Sequence, residues 1–335
     1  MDDNKTATHE PPPSDPKGLL ALNEAEAPGD DSRKFEIWAF GGGKGGTGKS
    51  ALAASVGFQL SRLGRRVVVV DADFGGANLH TCLGMSSPPR SLLDFLREGG
   101  NVADEFVFDT PYPNLRIIGG RVDEGTGSLP AGWAARLSTA LRSLPVDLAI
   151  LDLGAGVSGE TIEAMNLADL KVMVAVPEPS SIENVVSLLR SLCLQRLVQR
   201  TPSNEVRGRL IALQSGQSLA RVKVVADIYR EIEAVDPTLL GSARALIGEM
   251  ALTLVTNQVR DDADRKFGAQ AAAVMRRHFG LPMSYAGFVH HDDAVWRTLR
   301  RGKMFMVDAS RSRAAEDIRR LARNLLRRAD LSPVF

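Results

Sequence analysis

From Phe35 onward the chain alternates short apolar, β-branched runs with longer segments whose apolar positions recur at helical spacing. The short runs are Phe35–Phe40, Arg66–Val70, Leu115–Ile118, Asp147–Leu151, Lys171–Val176, Leu252–Thr256 and Met283–Phe288. Several are almost continuously apolar rather than alternating with polar residues, the pattern of strands covered on both faces. Strand-then-helix order repeated along a chain predicts βαβ units, and so an α/β, doubly wound, mostly parallel sheet. One domain is expected over residues 34–330, with 331–335 a short tail.

The rhythm breaks once. Between Ser180 and Glu249 a mainly helical stretch separates two predicted strands where one helix would suffice, which predicts a helical insertion at about residues 190–249. Val185, Leu188, Leu189, Leu192 and Val198 have helical spacing and are expected to pack on the sheet. Upstream, Pro11, Pro12, Pro13, Pro16 and Pro28 stand among acidic and small residues. Such a composition buries too little apolar surface to offset the entropy of ordering, so residues 1–33 are expected to be a disordered, Pro-rich acidic tail. Leu19, Leu20 and Leu22 form an apolar island in it, read either as incidental or as a partner-docking motif.

Composition narrows the setting. Over 335 residues, 44% are hydrophobic and 24% charged, with a net charge of +1, so any nucleic-acid or membrane contact must be local rather than global. Cys82 and Cys193 are far apart and no CxxC occurs, which argues against a disulfide framework or a cysteine-rich metal site. No apolar run approaches the roughly 18 residues needed to span a bilayer, and the N-terminus lacks the layout of a secretion signal. A cytoplasmic protein is expected.

The chemistry concentrates at Gly41-Gly42-Gly43-Lys44-Gly45-Gly46-Thr47-Gly48-Lys49-Ser50, which follows a predicted strand and precedes the helix-like Ala51–Arg62. Strand, glycine loop, helix is the context of a P-loop. Glycines let successive backbone N–H groups curl around phosphate oxygens, and the helix N-terminus adds partial positive charge there. Gly43, Gly45, Gly46, Thr47, Gly48, Lys49, Ser50 and Ala51 are therefore candidate nucleotide-binding positions. Lys49 would bridge the β- and γ-phosphates, and the Ser50 hydroxyl would ligate Mg²⁺. Asp71 and Asp73 end one predicted strand and Asp152 ends another, where α/β sheets bind ligands. Asp71 and Asp152 are the candidate magnesium residues beside Ser50. Asp73 is the candidate for positioning the attacking water.

Lys44-Gly45-Gly46-Thr47-Gly48-Lys49-Ser50 resembles the deviant Walker A motif of the MinD/ParA family, the SIMIBI class of P-loop ATPases. The resemblance implies that Lys44 crosses a dimer interface to touch the partner's nucleotide, acting in trans as an arginine finger does. It also implies that Asp71-Ala72-Asp73-Phe74-Gly75-Gly76-Ala77-Asn78 is a switch segment in which Asp73 is catalytic and Asn78 faces the γ-phosphate. Asp152-Leu153-Gly154-Ala155-Gly156 is similar to the second switch. Asn257 stands where the family reads the adenine edge, and Val289 and His290 fall in the loop that closes over the base. Two departures are visible: Ala51 replaces a second hydroxyl, and His290-His291 replaces a more usual acidic or proline-containing pair.

The resemblance implies ATP and Mg²⁺ as ligands, with Lys44, Lys49 and Asp73 catalytic. It further implies an ATP-dependent homodimer whose slow hydrolysis is stimulated by a protein partner, and a role in placing a cellular component, closest in pattern to MinD/FlhG-like proteins. The alternative is a ParA-like ATPase binding DNA nonspecifically, through the basic stretch that holds Arg300, Arg301, Lys303, Arg311 and Arg313. At the C-terminus, Ile318, Leu321, Leu325 and Leu326 alternate helically with arginines. That helix is read either as packed on the sheet or as a peripheral contact with the inner face of the plasma membrane. An iron–sulfur carrier and an ATP-binding scaffold without turnover are weaker alternatives; the first lacks CxxC and the second leaves Asp73 without a task.

Overall fold

The computed structural model describes residues 34–99, 105–121, 129–214 and 222–329. The tail expected at 1–33, with its leucine island, and the tail at 331–335 lie outside the described residues. Strands are β1 Glu36–Gly42, β2 Val67–Ala72, β3 Phe108–Asp109, β4 Leu115–Ile118, β5 Leu148–Ala155, β6 Leu170–Ala175, β7 Leu252–Val259 and β8 Met283–His290. All seven predicted runs are strands; the two-residue β3 was too short to leave a signal.

These strands form one sheet in the order β3-β4-β2-β5-β1-β6-β7-β8. Every pairing is parallel except β3 with β4. The near-continuous apolar runs are explained by cores on both faces. Ile37, Ala39, Val68 and Val70 enter one cluster, while Trp38, Phe40, Val67 and Val69 enter the other. Successive side chains of a strand point to opposite faces, so a strand buried on both sides must be apolar at every position.

The first core lies under helices α3 Leu92–Glu98, α4 Trp133–Arg142, α5 Gly159–Leu167, α6 Pro179–Arg200 and α10 Asp262–Phe279. Between β6 and β7 the described residues are mainly helical: after α6 come α7 Asn204–Gln214, α8 Val225–Val235 and α9 Leu240–Gly248. Val185, Leu188, Leu189 and Leu192 are buried in this core, and Val198 packs against it. The second core lies under α1 Lys49–Arg62, α2 Leu79–Cys82, α11 Asp293–Arg300, α12 Phe305–Asp308 and α13 Arg313–Ala329.

Of the two readings of the C-terminal helix, packing on the sheet is the observed one. Ile318, Leu321 and Leu325 of α13 are buried in the second core, and Leu326 packs against it. Burying each such side chain stabilises the fold by about 1.5–3 kcal/mol, so this apolar face is not a surface a membrane would meet. No helix among the described residues is long and apolar enough to cross a membrane. Cys82 and Cys193 are free, buried thiols.

Because β1 lies between β5 and β6, the chain runs from β1 to β2 on one side of it and later crosses from β5 to β6 on the other. The carboxyl end of β1 is thus a topological switch point, where open α/β sheets form a crevice. The glycine loop begins there.

Candidate functional site

The loop leaves β1 at Gly42 and enters α1 at Lys49. Gly46 and Gly48 have φ of 76° and 83°, in the left-handed region where a Cβ is unfavourable. Gly48 faces a second constraint, since a Cβ there would lie 2.4 Å from Asn257 Nδ2. A Cβ on Gly43 would meet the backbone of Asn184 in α6 at 2.4 Å. Around Gly45 and Gly46, by contrast, the space is open. The outer part of the loop is therefore free to receive a ligand while its flanks are locked.

The carboxylates converge beside it. Asp71 and Asp152 are buried register partners at the ends of β2 and β5. Asp71 accepts from the amide of Leu79 at 2.9 Å and from that of Asp73 at 3.3 Å. Burial raises its pKa to about 6, against the opposing effect of those amides. Neither oxygen of Asp152 has a hydrogen-bond partner. Burial raises its pKa to about 8, offset in part by the nearby Ser50 hydroxyl and the Lys49 charge. Lys49 is itself buried, which lowers its pKa, while Asp152 and Asp73 pull it back up. Among the described residues its ammonium donates to the Lys44 carbonyl, at 3.5 Å.

An unpartnered buried carboxylate is costly, and here it faces a hydroxyl and an ammonium. That donor set fits a hydrated divalent cation held by Ser50, Asp152 and Asp71. No cluster of three or more His, Cys, Asp or Glu side chains suited to a metal forms among the described residues. Such an ion would thus complete its shell with phosphate oxygens and water.

Asp73 is half-buried and accepts from the amide of Gly75 at 3.1 Å. Gly154 lies so close that a Cβ there would be 2.9 Å from Asp73 Oδ1, which brings the two predicted switch segments together. Asn78 is exposed and precedes α2. Lys44 is half-exposed and pairs with Glu178 at 3.1 Å. Exposed pairs of this kind contribute at most about 1 kcal/mol, so Lys44 is held only loosely.

Beside the loop a cavity of about 340 Å³ is bordered by Ala51, Asn257, Val289, His290 and Trp296 among others. It joins the loop glycines Gly46 and Gly48 to residues from β7 and β8. Asn257 Nδ2 donates to the Thr47 carbonyl at 2.8 Å, leaving its carbonyl oxygen and second N–H for a ligand. His290 is buried and tightly framed. Asp317 Oδ2 accepts from its ring Nδ1 at 2.6 Å and from its amide at 3.0 Å. Arg265 Nε donates to its Nε2 at 3.3 Å. An arginine can only donate, so Nε2 is the bare nitrogen and Nδ1 carries the proton.

Gln258, Arg265, Trp296 and Asp317 were not legible in the sequence. They come from a strand bulge (Gln258), from α10 (Arg265), from α11 (Trp296) and from the C-terminal helix α13 (Asp317), and no short motif marks them. The amide of Gln258, directly after Asn257, was the nearest to a visible signal.

A glycine loop between strand and helix at the switch point, flanked by two strand-end carboxylates and a base-sized cavity, defines a P-loop nucleotide-binding protein. Residues 38–305 match the CobQ/CobB/MinD/ParA nucleotide binding domain. The chain belongs to that family. It is 31% identical over 153 residues to the septum site-determining protein MinD of Synechocystis, covering 44% of this chain and 57% of that protein. It is 29% identical over 164 residues to the antiactivator FleN of Pseudomonas aeruginosa, covering 47% and 56%. These matches span little more than half the length of each relative. The fold is shared with MinD of Pyrococcus horikoshii, solved with Mg-ADP, at a TM-score of 0.60 and 18% identity over 90% of this chain and all of that one.

Proposed function

We propose that this chain is an Mg-ATP-dependent ATPase that switches between monomer and ATP-bound homodimer to place a cellular component, in the manner of MinD/FlhG-like proteins. The observation that carries this reading is the loop itself: a second lysine, Lys44, stands exposed on the ligand side while Lys49 is buried against Asp152. Two lysines with different exposures suit different tasks. Lys49 is placed for the phosphates of its own site, and Lys44, held only by the exposed Glu178 pair, is free to reach a partner's. The names of the relatives, a septum site-determining protein and an antiactivator, support positioning or regulation as the output.

When bound, Mg²⁺ supplies charge neutralisation on the phosphate oxygens. Ser50, Asp71 and Asp152 would hold it. Asp73 has a carboxylate fixed at one oxygen by the Gly75 amide, leaving the other to orient water and accept its proton. Asn257, Val289 and His290, which line the cavity beside the loop, would border the base. Because Asp73 and Gly154 are in near contact, loss of the γ-phosphate would be sensed by both switch segments together.

Light scattering after size exclusion, with ADP or ATP, tests the switch. Asp73→Ala is expected to accumulate as an ATP-bound dimer and Lys44→Ala to remain monomeric. A monomer under every condition sinks the dimer model. Mixing the ATP form with anionic liposomes or with DNA then separates peripheral membrane attachment from a ParA-like use of the basic C-terminal region.

A further inference from the structure

We propose that Gln258 is a positioning residue of the phosphate loop, aimed at it by a β-bulge in β7; this rests on the loop being a nucleotide site. In a regular strand, neighbouring side chains point to opposite faces, so Asn257 and Gln258 should not be able to reach the same loop. Here both do. Asn257 Nδ2 donates to the Thr47 carbonyl at 2.8 Å, and Gln258 Nε2 donates to the Gly46 carbonyl at 2.9 Å.

The ladder shows how. Thr256 pairs with Phe288 and Val259 with His290, three steps along β7 against two along β8. One residue is extra, and such bulges re-aim side chains near binding sites. Gln258 carries the distortion, with φ of 60°. That region is uncommon for residues other than Gly, Asn and Asp. A glycine would adopt it freely but would bring no amide. The sequence instead keeps a long amide side chain in an unfavourable backbone conformation, and that amide ends on the loop.

The consequence for the loop follows from peptide geometry. In a trans peptide the N–H points opposite to the C=O of the same unit. The Gly46 carbonyl shares its peptide with the Thr47 N–H, and the Thr47 carbonyl shares its peptide with the Gly48 N–H. Drawing two successive carbonyls toward β7 therefore turns two successive N–H groups away from β7. Flanked by Gly46 and Gly48, both left-handed, this stretch would otherwise have wide rotational freedom. The paired amides fix it before a ligand arrives. Gln258 itself makes no base contact in this scheme.

Calorimetric titration of wild type, Gln258→Ala and Gln258→Gly with Mg-ATP, Mg-GTP and magnesium tripolyphosphate tests this, with thermal unfolding recorded alongside. Loss of one neutral hydrogen bond that orders the loop is expected to weaken all three ligands by a similar factor, about 3- to 10-fold. Gln258→Gly is expected to lose affinity while unfolding at a higher temperature, because it relieves the backbone and removes the amide. A loss confined to ATP, with tripolyphosphate unchanged, would overturn the proposal in favour of base reading. Unchanged affinity for all three in both variants, whatever the melting temperature, would overturn it in favour of local packing. Wild type that binds none of the three removes the nucleotide reading itself, an outcome visible before any variant is measured.

Discussion

Asp71 and Asp152 lie side by side in register on β2 and β5, both buried, yet only Asp71 is satisfied by backbone amides. The two carboxylates therefore have different tasks. Asp71 is tied to Leu79 and so holds the start of α2 and the end of the first switch, whereas Asp152 presents two free oxygens to the loop. Asp152→Ala is expected to change the stability of the nucleotide-free protein by no more than about 1 kcal/mol, because the relief of a buried carboxyl without a hydrogen-bond partner is offset by leaving the buried Lys49 ammonium without its nearby charge. It should also weaken the magnesium dependence of ATP binding. Urea unfolding and titrations with and without Mg²⁺ measure the two effects, and a variant destabilised by about 3 kcal/mol or more would contradict this account of Asp152.

Gly154→Ala addresses the contact between the switch segments. Its Cβ would sit 2.9 Å from Asp73 Oδ1, and the carboxylate would have to rotate or shift. If Asp73 orients the attacking water as proposed, displacing it by a fraction of an ångström is expected to lower turnover by about 10- to 100-fold, with little change in ATP affinity. A stopped assay of phosphate release beside equilibrium binding separates the two. Equal losses in both would mean that Gly154 shapes the binding site rather than the position of Asp73.

Lys171 supplies a pH dependence away from the nucleotide. It is a buried lysine of β6 whose ammonium donates to the Ala168 carbonyl at 2.6 Å. Burial, with some help from Arg196 and against Asp169, lowers its pKa to about 8. The unfolded chain keeps the ordinary lysine value of 10.5. Between those two values the unfolded state holds a proton that the folded state releases, so this group makes stability rise with pH across about 8 to 10.5. Lys171→Met is expected to be more stable at pH 7, by about 1–2 kcal/mol, and to lack this rise. Urea midpoints of both proteins from pH 7 to 10 give the difference curve; a flat difference would mean that Lys171 does not titrate in that window.

The C-terminal helix gives a prediction with opposite consequences for its two readings. Leu321 is 1% exposed in the second core, so Leu321→Ala is expected to cost about 2–5 kcal/mol of stability. If liposome binding is found, it should be unaffected per folded molecule. A stable variant with lost liposome binding would return the helix to the membrane.

Much of this protein was written in its sequence. Continuous apolar runs and period-3.6 apolar patterns located every strand but β3, because a strand buried on both faces and a helix buried on one leave different spacings of the same residue types. The loop from Gly41 to Ser50 was legible because phosphate binding needs backbone, and only a run of glycines exposes backbone that way. Its carboxylates were legible because parallel strands present their ends to a common crevice. The tertiary structure decided what depends on register and on distant packing. It set Asp71 beside Asp152 with only one of them satisfied, framed His290 between Arg265 and Asp317, and buried the apolar face of α13 that the sequence left open to lipid or core. It also placed the bulge at Gln258. None of these has a local signature, because each is fixed by which strand end or helix face arrives opposite, and that follows from the chain's closure into one sheet rather than from any short run of residues.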